Sequence, residues 1–107
     1  MHAATLFRKL RTARYMEKEH LPFIQTLEDR DIVLEIGFHA ERNAPIGVKQ
    51  LNRLGITSEG TIGRRLKRLK TLGVVKYERS EVDARRVELS LHPRVHAAWR
   101  RVYGWLK

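Results

Sequence analysis

The segment from Ser58 to Gly73 constrains the fold most, because it reads as one helix with a marked start, a marked stop and two chemically opposite faces. Ser58 is a good N-cap, its hydroxyl able to accept a backbone N–H of the first turn. Gly73 falls where a left-handed residue commonly ends a helix, after a run reaching about Leu72. Advancing about 100° per residue from Ile62 places Leu66 and Leu69 on the same face and Leu72 at its margin. Gly60, Arg64, Lys67 and Thr71 point the opposite way, with Gly63 and Arg68 beside them. Between Thr61 and Leu72 stand five basic residues and no acid, so the face away from the core is cationic.

What surrounds this helix narrows the architecture. Downstream, Val74–Arg79 and Arg86–Leu91 are β-rich runs joined by the polar stretch Ser80–Arg85. In the second run Val87, Leu89 and Leu91 alternate with Arg86, Glu88 and Ser90, the pattern of a half-buried strand. Upstream, a short helix over about Val48–Leu54 ends at Gly55, and Ile56-Thr57-Ser58 makes the turn. Residues 4–19 carry Leu6, Leu10, Ala13 and Met16 on one helical face, and Leu21-Pro22 ends that helix. Thr26 or Glu28 opens the next. Ile32, Leu34, Ile36 and Phe38 alternate as a strand would, but the acidic first turn of Glu28, Asp29 and Asp31 suits a helix dipole and favours helix. Asn43-Ala44-Pro45 marks a loop. Pro93 starts a last helix, with Val95, Trp99, Val102 and Leu106 on one stripe. The order predicts a mainly α chain with a small β-hairpin: a winged helix-turn-helix with extra N- and C-terminal helices, a single domain over residues 1–107.

Charge placement points to the partner. The net charge is +10. Residues 1–42 hold seven Lys/Arg and seven Asp/Glu, whereas residues 43–107 hold fifteen against five, so the whole excess lies in the second part. A neutral half joined to a basic half implies a surface for a polyanion. Lysines and arginines displace counterions from phosphates, and an arginine near a helix N-terminus can grip guanine in the major groove, a position Arg64 occupies. Gly60 and Gly63 weaken the helix and leave its backbone free to approach a groove. The absence of cysteine excludes thiolate metal sites, disulfides and thiol redox sensing. No leader-like apolar run and no membrane-length span appear, so a soluble, intracellular protein is expected. With a DNA partner, the expected place is the cytoplasm of a prokaryote, in association with the nucleoid.

The run Thr61 to Val75 resembles the recognition helix of the MarR family of winged-helix regulators, with its Leu-x-x-x-Gly-hydrophobic-hydrophobic ending at Leu69-Lys70-Thr71-Leu72-Gly73-Val74-Val75. Asp83-Ala84-Arg85-Arg86-Val87-Glu88-Leu89-Ser90-Leu91 is similar to that family's wing, where an Asp-x-Arg motif sits at the hairpin. The resemblance covers about Asp31 to Leu91. It implies that Arg85 enters the minor groove, that Asp83 orients it, and that Arg64 matches an arginine common in the family's recognition helix. Two features depart from the family pattern: Leu91-His92-Pro93-Arg94 replaces a Leu-Thr-x-x-Gly turn, and the sequence stops at Lys107 where members continue into long helices.

These readings define the candidate sites. The DNA-contacting set is Ser58, Gly60, Thr61, Arg64, Arg65, Lys67 and Arg68 on the helix, with Arg85 and Arg86 on the wing and Asp83 orienting it. The partner is double-stranded DNA, with any small-molecule effector left unspecified. The terminal helices, 1–20 and 93–107, are expected to build a homodimer through Leu6, Leu10, Trp99, Val102 and Leu106, although packing within one chain explains the same stripes equally well. His92 and His96 have a metal-ligand spacing but no neighbouring carboxylate or cysteine, so neither a metal nor another cofactor is expected. Phosphate loops, nucleophile elbows and paired acids are missing, which argues against an enzyme. The leading function is a sequence-specific transcriptional regulator acting as a repressor. A plasmid or phage replication or partition protein, and a winged-helix module for protein or RNA, are the alternatives.

Overall fold

The computed structural model describes residues 3–106; Met1, His2 and Lys107 of the expected domain lie outside the described residues. Its elements run α1 (Ala3–His20), α2 (Leu27–Glu41), α3 (Val48–Arg53), α4 (Glu59–Thr71), β1 (Val75–Arg79), β2 (Val87–Leu91) and α5 (Pro93–Tyr103). This is the mainly helical winged-helix order read from the sequence. No described helix is long and apolar enough to cross a membrane.

Local chemistry sets each boundary. The alternating run in the second segment is helical, and Thr26 rather than Glu28 opens it. The Thr26 hydroxyl accepts the Asp29 N–H at 3.1 Å while the Asp29 carboxylate accepts the Thr26 N–H at 3.2 Å, a reciprocal capping box. Gly55 and Gly73, with φ of +72° and +75°, end α3 and α4 in the left-handed conformation that side chains resist. Ser58 caps α4 by accepting the Thr61 N–H at 3.2 Å.

β1 and β2 pair antiparallel, from Val75 opposite Leu91 to Arg79 opposite Val87. A third edge was not foreseen in the sequence. The Leu89 N–H donates to the Ile46 carbonyl at 2.8 Å, and Gly47 bridges Glu88, so the loop before α3 pairs with β2. A Cβ at Gly47 would stand 3.1 Å from the Val87 carbonyl oxygen; that close backbone approach is what glycine permits here.

The main core gathers Ile32, Val33 and Ile36 of α2, Leu51 of α3, Ile62, Leu66 and Leu69 of α4, and Val75, Leu89 and Leu91 of the hairpin. A smaller cluster of Ala13, Leu21 and Val102 joins α1 to α5, with Met16, Trp99 and Tyr103 against it. Two expectations for the last helix are corrected. It ends at Tyr103, because the Trp105 indole N–H donates to the Val102 carbonyl at 3.0 Å and turns the chain, leaving Leu106 exposed beyond the helix. Val102, expected at a subunit interface, is 1% exposed within the single chain, and Trp99 packs against both clusters.

Leu66→Ala removes a fully buried side chain from the α4 seam and is expected to cost about 2–5 kcal/mol in denaturant unfolding. Val82→Ala, at an exposed loop position, should change stability by no more than about 0.5 kcal/mol.

Candidate nucleic-acid interface

Of the five basic residues of α4, Lys70 lies over the Tyr77 ring at 4.6 Å, and the other four divide into two pairs. Arg64 and Lys67 stand exposed on the open face. Arg64 folds back toward the helix start, its guanidinium donating to the Thr61 hydroxyl at 3.0 Å, and Ser58 donates to the same oxygen at 3.0 Å. Among the described residues nothing engages the Lys67 ammonium in a hydrogen bond or ion pair. Gly60 and Gly63 lie on the same exposed stretch; a Cβ at Gly63 would meet nothing within 4 Å, so packing does not require glycine there.

Arg65 and Arg68 turn the other way. Arg65 grips Asp29 with both arms of its fork, Nε to Oδ1 at 2.7 Å and Nη2 to Oδ2 at 2.5 Å. Arg68 donates to the Phe23 carbonyl at 2.8 Å and reaches Asp29 at 3.5 Å. Asp29 is 0% exposed, and its carboxylate also accepts the Gln25 N–H at 3.0 Å. Burial pushes this carboxyl upward, but the Arg65 hydrogen bond, the Gln25 N–H and the charges of Arg65 and Arg68 outweigh it and hold the group below its usual value. The same hydrogen bond from Asp29's side holds Arg65 more firmly protonated.

The wing is ordered from within. The Ser80 hydroxyl accepts the Val82 and Asp83 N–H groups, each at 3.2 Å, and the Arg86 N–H closes the turn by donating to the Asp83 carbonyl at 2.9 Å. Asp83 Oδ1 accepts the Arg85 N–H at 3.0 Å and lies 3.4 Å from Arg85 Nε. The Arg85 side chain is 93% exposed, projecting from the hairpin with only that light tether. Arg86 behaves differently: it donates to the Pro45 carbonyl at 2.8 Å and to Gln50 Oε1 at 2.6 Å, clamping the wing base to the start of α3.

Between α3 and the wing runs an open groove of about 770 Å³, with Lys49, Arg53, Arg85 and Arg86 against the single acid Asp83 on its walls. The sequence reading overlooked Lys49 and Arg53; the charge excess counted them, but only the third edge at Gly47 brings α3 beside the wing. It also missed the Asp29 pairing. Two signals were present: the Thr26-x-x-Asp29 spacing, and the place of Arg65 only about 60° from Ile62 on the helical wheel. His92, weighed as a metal ligand, uses Nδ1 to accept the Arg94 N–H at 3.0 Å and so caps α5.

Asp29→Asn should lower stability by about 2–3 kcal/mol at neutral pH, because it removes the charge-assisted hydrogen bonds of Arg65 and Arg68 while leaving those partly exposed guanidinium groups within reach of water. A depressed carboxyl contributes fully above its ordinary value of 3.8 and loses that contribution as pH falls below it. Unfolding curves of wild type and variant, well separated at pH 6, should therefore converge on acidification below pH 4.

No protein-family model matches the chain, and neither does any curated protein. Solved structures do match. S. aureus MepR bound to ethidium bromide is 13% identical with a TM-score of 0.63, the match covering 99% of this chain and 78% of that one. The Thermotoga maritima transcriptional regulator Tm0710 is 20% identical with a TM-score of 0.69, over 94% and 66% of the two chains. A mutant of E. coli MarR complexed with operator DNA is 20% identical with a TM-score of 0.60, over 89% and 65%. The chain therefore has the winged-helix fold seen in the MarR-type transcriptional regulators.

Proposed function

We propose that the protein is a sequence-specific, double-stranded DNA-binding transcriptional repressor that acts as a homodimer in the cytoplasm. The observation that carries this reading is the split of the α4 cations: Asp29 holds Arg65 and Arg68, while Arg64 and Lys67 stay available beside two exposed glycines. A merely soluble basic helix has no need of a fixed face stripped of side chains at its first turns.

In this reading α4 enters the major groove with Ser58, Gly60, Thr61 and Arg64 leading. Arg64 exchanges its Thr61 contact for a guanine edge, and Lys67 neutralises phosphate. Arg85 is carried by the wing into the minor groove, whose negative potential attracts an arginine. Asp83 limits the rotamers of Arg85, which lowers the ordering cost on binding. Arg65, Arg68 and Arg86 act through the fold: the first two set the rotation of α4, and Arg86 sets the angle of the wing. Lys49 and Arg53 add phosphate contacts beside the wing. The operator-bound MarR structure of the same fold favours duplex DNA over an RNA or protein partner.

Selection of bound fragments from random duplex DNA, followed by titration across salt, tests this reading. Arg64→Ala should relax the preference at one or two base positions at a cost of about 1–3 kcal/mol. Lys67→Ala should weaken all sequences alike and reduce the salt slope by about 1. Equal, salt-independent binding by wild type and both variants would sink the proposal.

A further inference from the structure

One charge on α4 is not explained by its cationic face. Glu59 is the only acid between Glu41 and Glu78, a stretch that holds nine lysines and arginines. It is the first residue of α4, directly after the Ser58 cap, and it is exposed. Among the described residues its carboxylate has no hydrogen bond or ion pair, and the place four residues on, where a lysine would pair with it, is Gly63. On the helical wheel Glu59 lies about 40° from Gly63 and about 80° from Lys67, on the flank away from Arg65 and Arg68. Gly60 and Gly63 have no side chains to screen the carboxylate, and a Cβ at Gly63 would meet nothing within 4 Å.

An acid in a first turn supports the helix dipole, which gives Glu59 a role in stability. Ser58 already caps that turn through the Thr61 N–H, and an unpaired carboxylate on a face suited to phosphate lowers affinity for any polyanion. The cost is offset where the ligand presents a donor to it. A recognition helix enters the major groove with its N-terminal residues against base edges, which sets Glu59 beside bases rather than phosphates. In that groove guanine offers acceptors alone, thymine an acceptor and a methyl, and adenine an amine beside its N7 acceptor. Cytosine offers a donor with no acceptor on its own edge.

We infer that Glu59 is a specificity residue: its carboxylate accepts the exocyclic amine of a cytosine in the major groove, and its charge weakens binding to duplexes without cytosine at that position. One side chain adds preference and removes non-specific affinity, the opposite of what Lys67 supplies. The inference rests on the DNA-binding reading above and adds a residue and a base to it.

Fragment selection from random duplex DNA is run on the full chain as wild type, Glu59→Ala and Glu59→Gln. Affinities for a selected and an unrelated duplex are then measured at low salt. Wild type should prefer cytosine at one position about tenfold or more. Glu59→Ala should flatten that position alone and bind the unrelated duplex about threefold or more tighter. Glu59→Gln should gain the same non-specific affinity and move the preference to adenine, whose amine and N7 a carboxamide can match. Position 59 is exposed, so circular dichroism of both variants should stay native. A role confined to the helix dipole predicts a small loss of stability in denaturant with the selected site unchanged, and that result overturns the inference. So does a wild type without a cytosine preference, or variants that lose affinity for the unrelated duplex. If no form binds duplex DNA in a salt-dependent way, the DNA reading fails and takes the inference with it; a specific site indifferent to Glu59 removes the inference alone.

Discussion

The carboxylate of Asp29 is the point on which the geometry turns. It receives the Gln25 and Thr26 N–H groups, both arms of Arg65, and Arg68 at longer range. One group thus caps the start of α2 and fixes the rotation of α4. Removing a carboxylate from water costs several kcal/mol unless its lone pairs are filled, and here they are. Turning α4 by one residue, about 100°, would carry Arg65 and Arg68, or Lys67 and Lys70, into the positions now held by Leu66 and Leu69. The fold therefore selects which cations of α4 stay free.

A second buried acid repeats this logic between the terminal helices. Glu17 of α1 accepts from Arg30 of α2 and from the Tyr103 hydroxyl of α5, and Arg30 also donates to Tyr103 at 2.9 Å. Burial and the bond to Glu17 raise the Tyr103 phenol above its usual range, which keeps it a donor. Arg30 lies over the Trp99 and Tyr103 rings, so its charge is covered by aromatic faces as well as paired. Two buried carboxylates, each with its own arginine, connect α2 to α4 on one side and to the α1–α5 pair on the other.

Most of the fold was legible because punctuation and periodicity agreed. Ser58, Gly55, Gly73 and Pro93 stand at the boundaries their chemistry dictates, and Ile62, Leu66 and Leu69 form the buried face read from the helical wheel. What was not legible depended on contacts distant in sequence. Arg65 and Arg68 look like Arg64 and Lys67 in composition; the helical wheel sets Arg65 nearer the core face, but the partner that holds it, Asp29, lies thirty-six residues upstream. Arg86 is set apart from Arg85 by Pro45 and Gln50, forty-one and thirty-six residues away, in the same manner. The end of α5 was misread because periodicity continued to Leu106 while the Trp105 indole closed the helix early.

The central claim, that neighbouring arginines of one helix serve the fold and the ligand separately, is tested most directly by replacing each with methionine. Unfolding free energy and duplex affinity are measured on the same two samples. Arg65→Met should lower stability by about 3 kcal/mol or more while the folded protein keeps its affinity, and Arg64→Met should do the reverse. An Arg65→Met protein as stable as wild type but unable to bind duplex DNA would contradict the account.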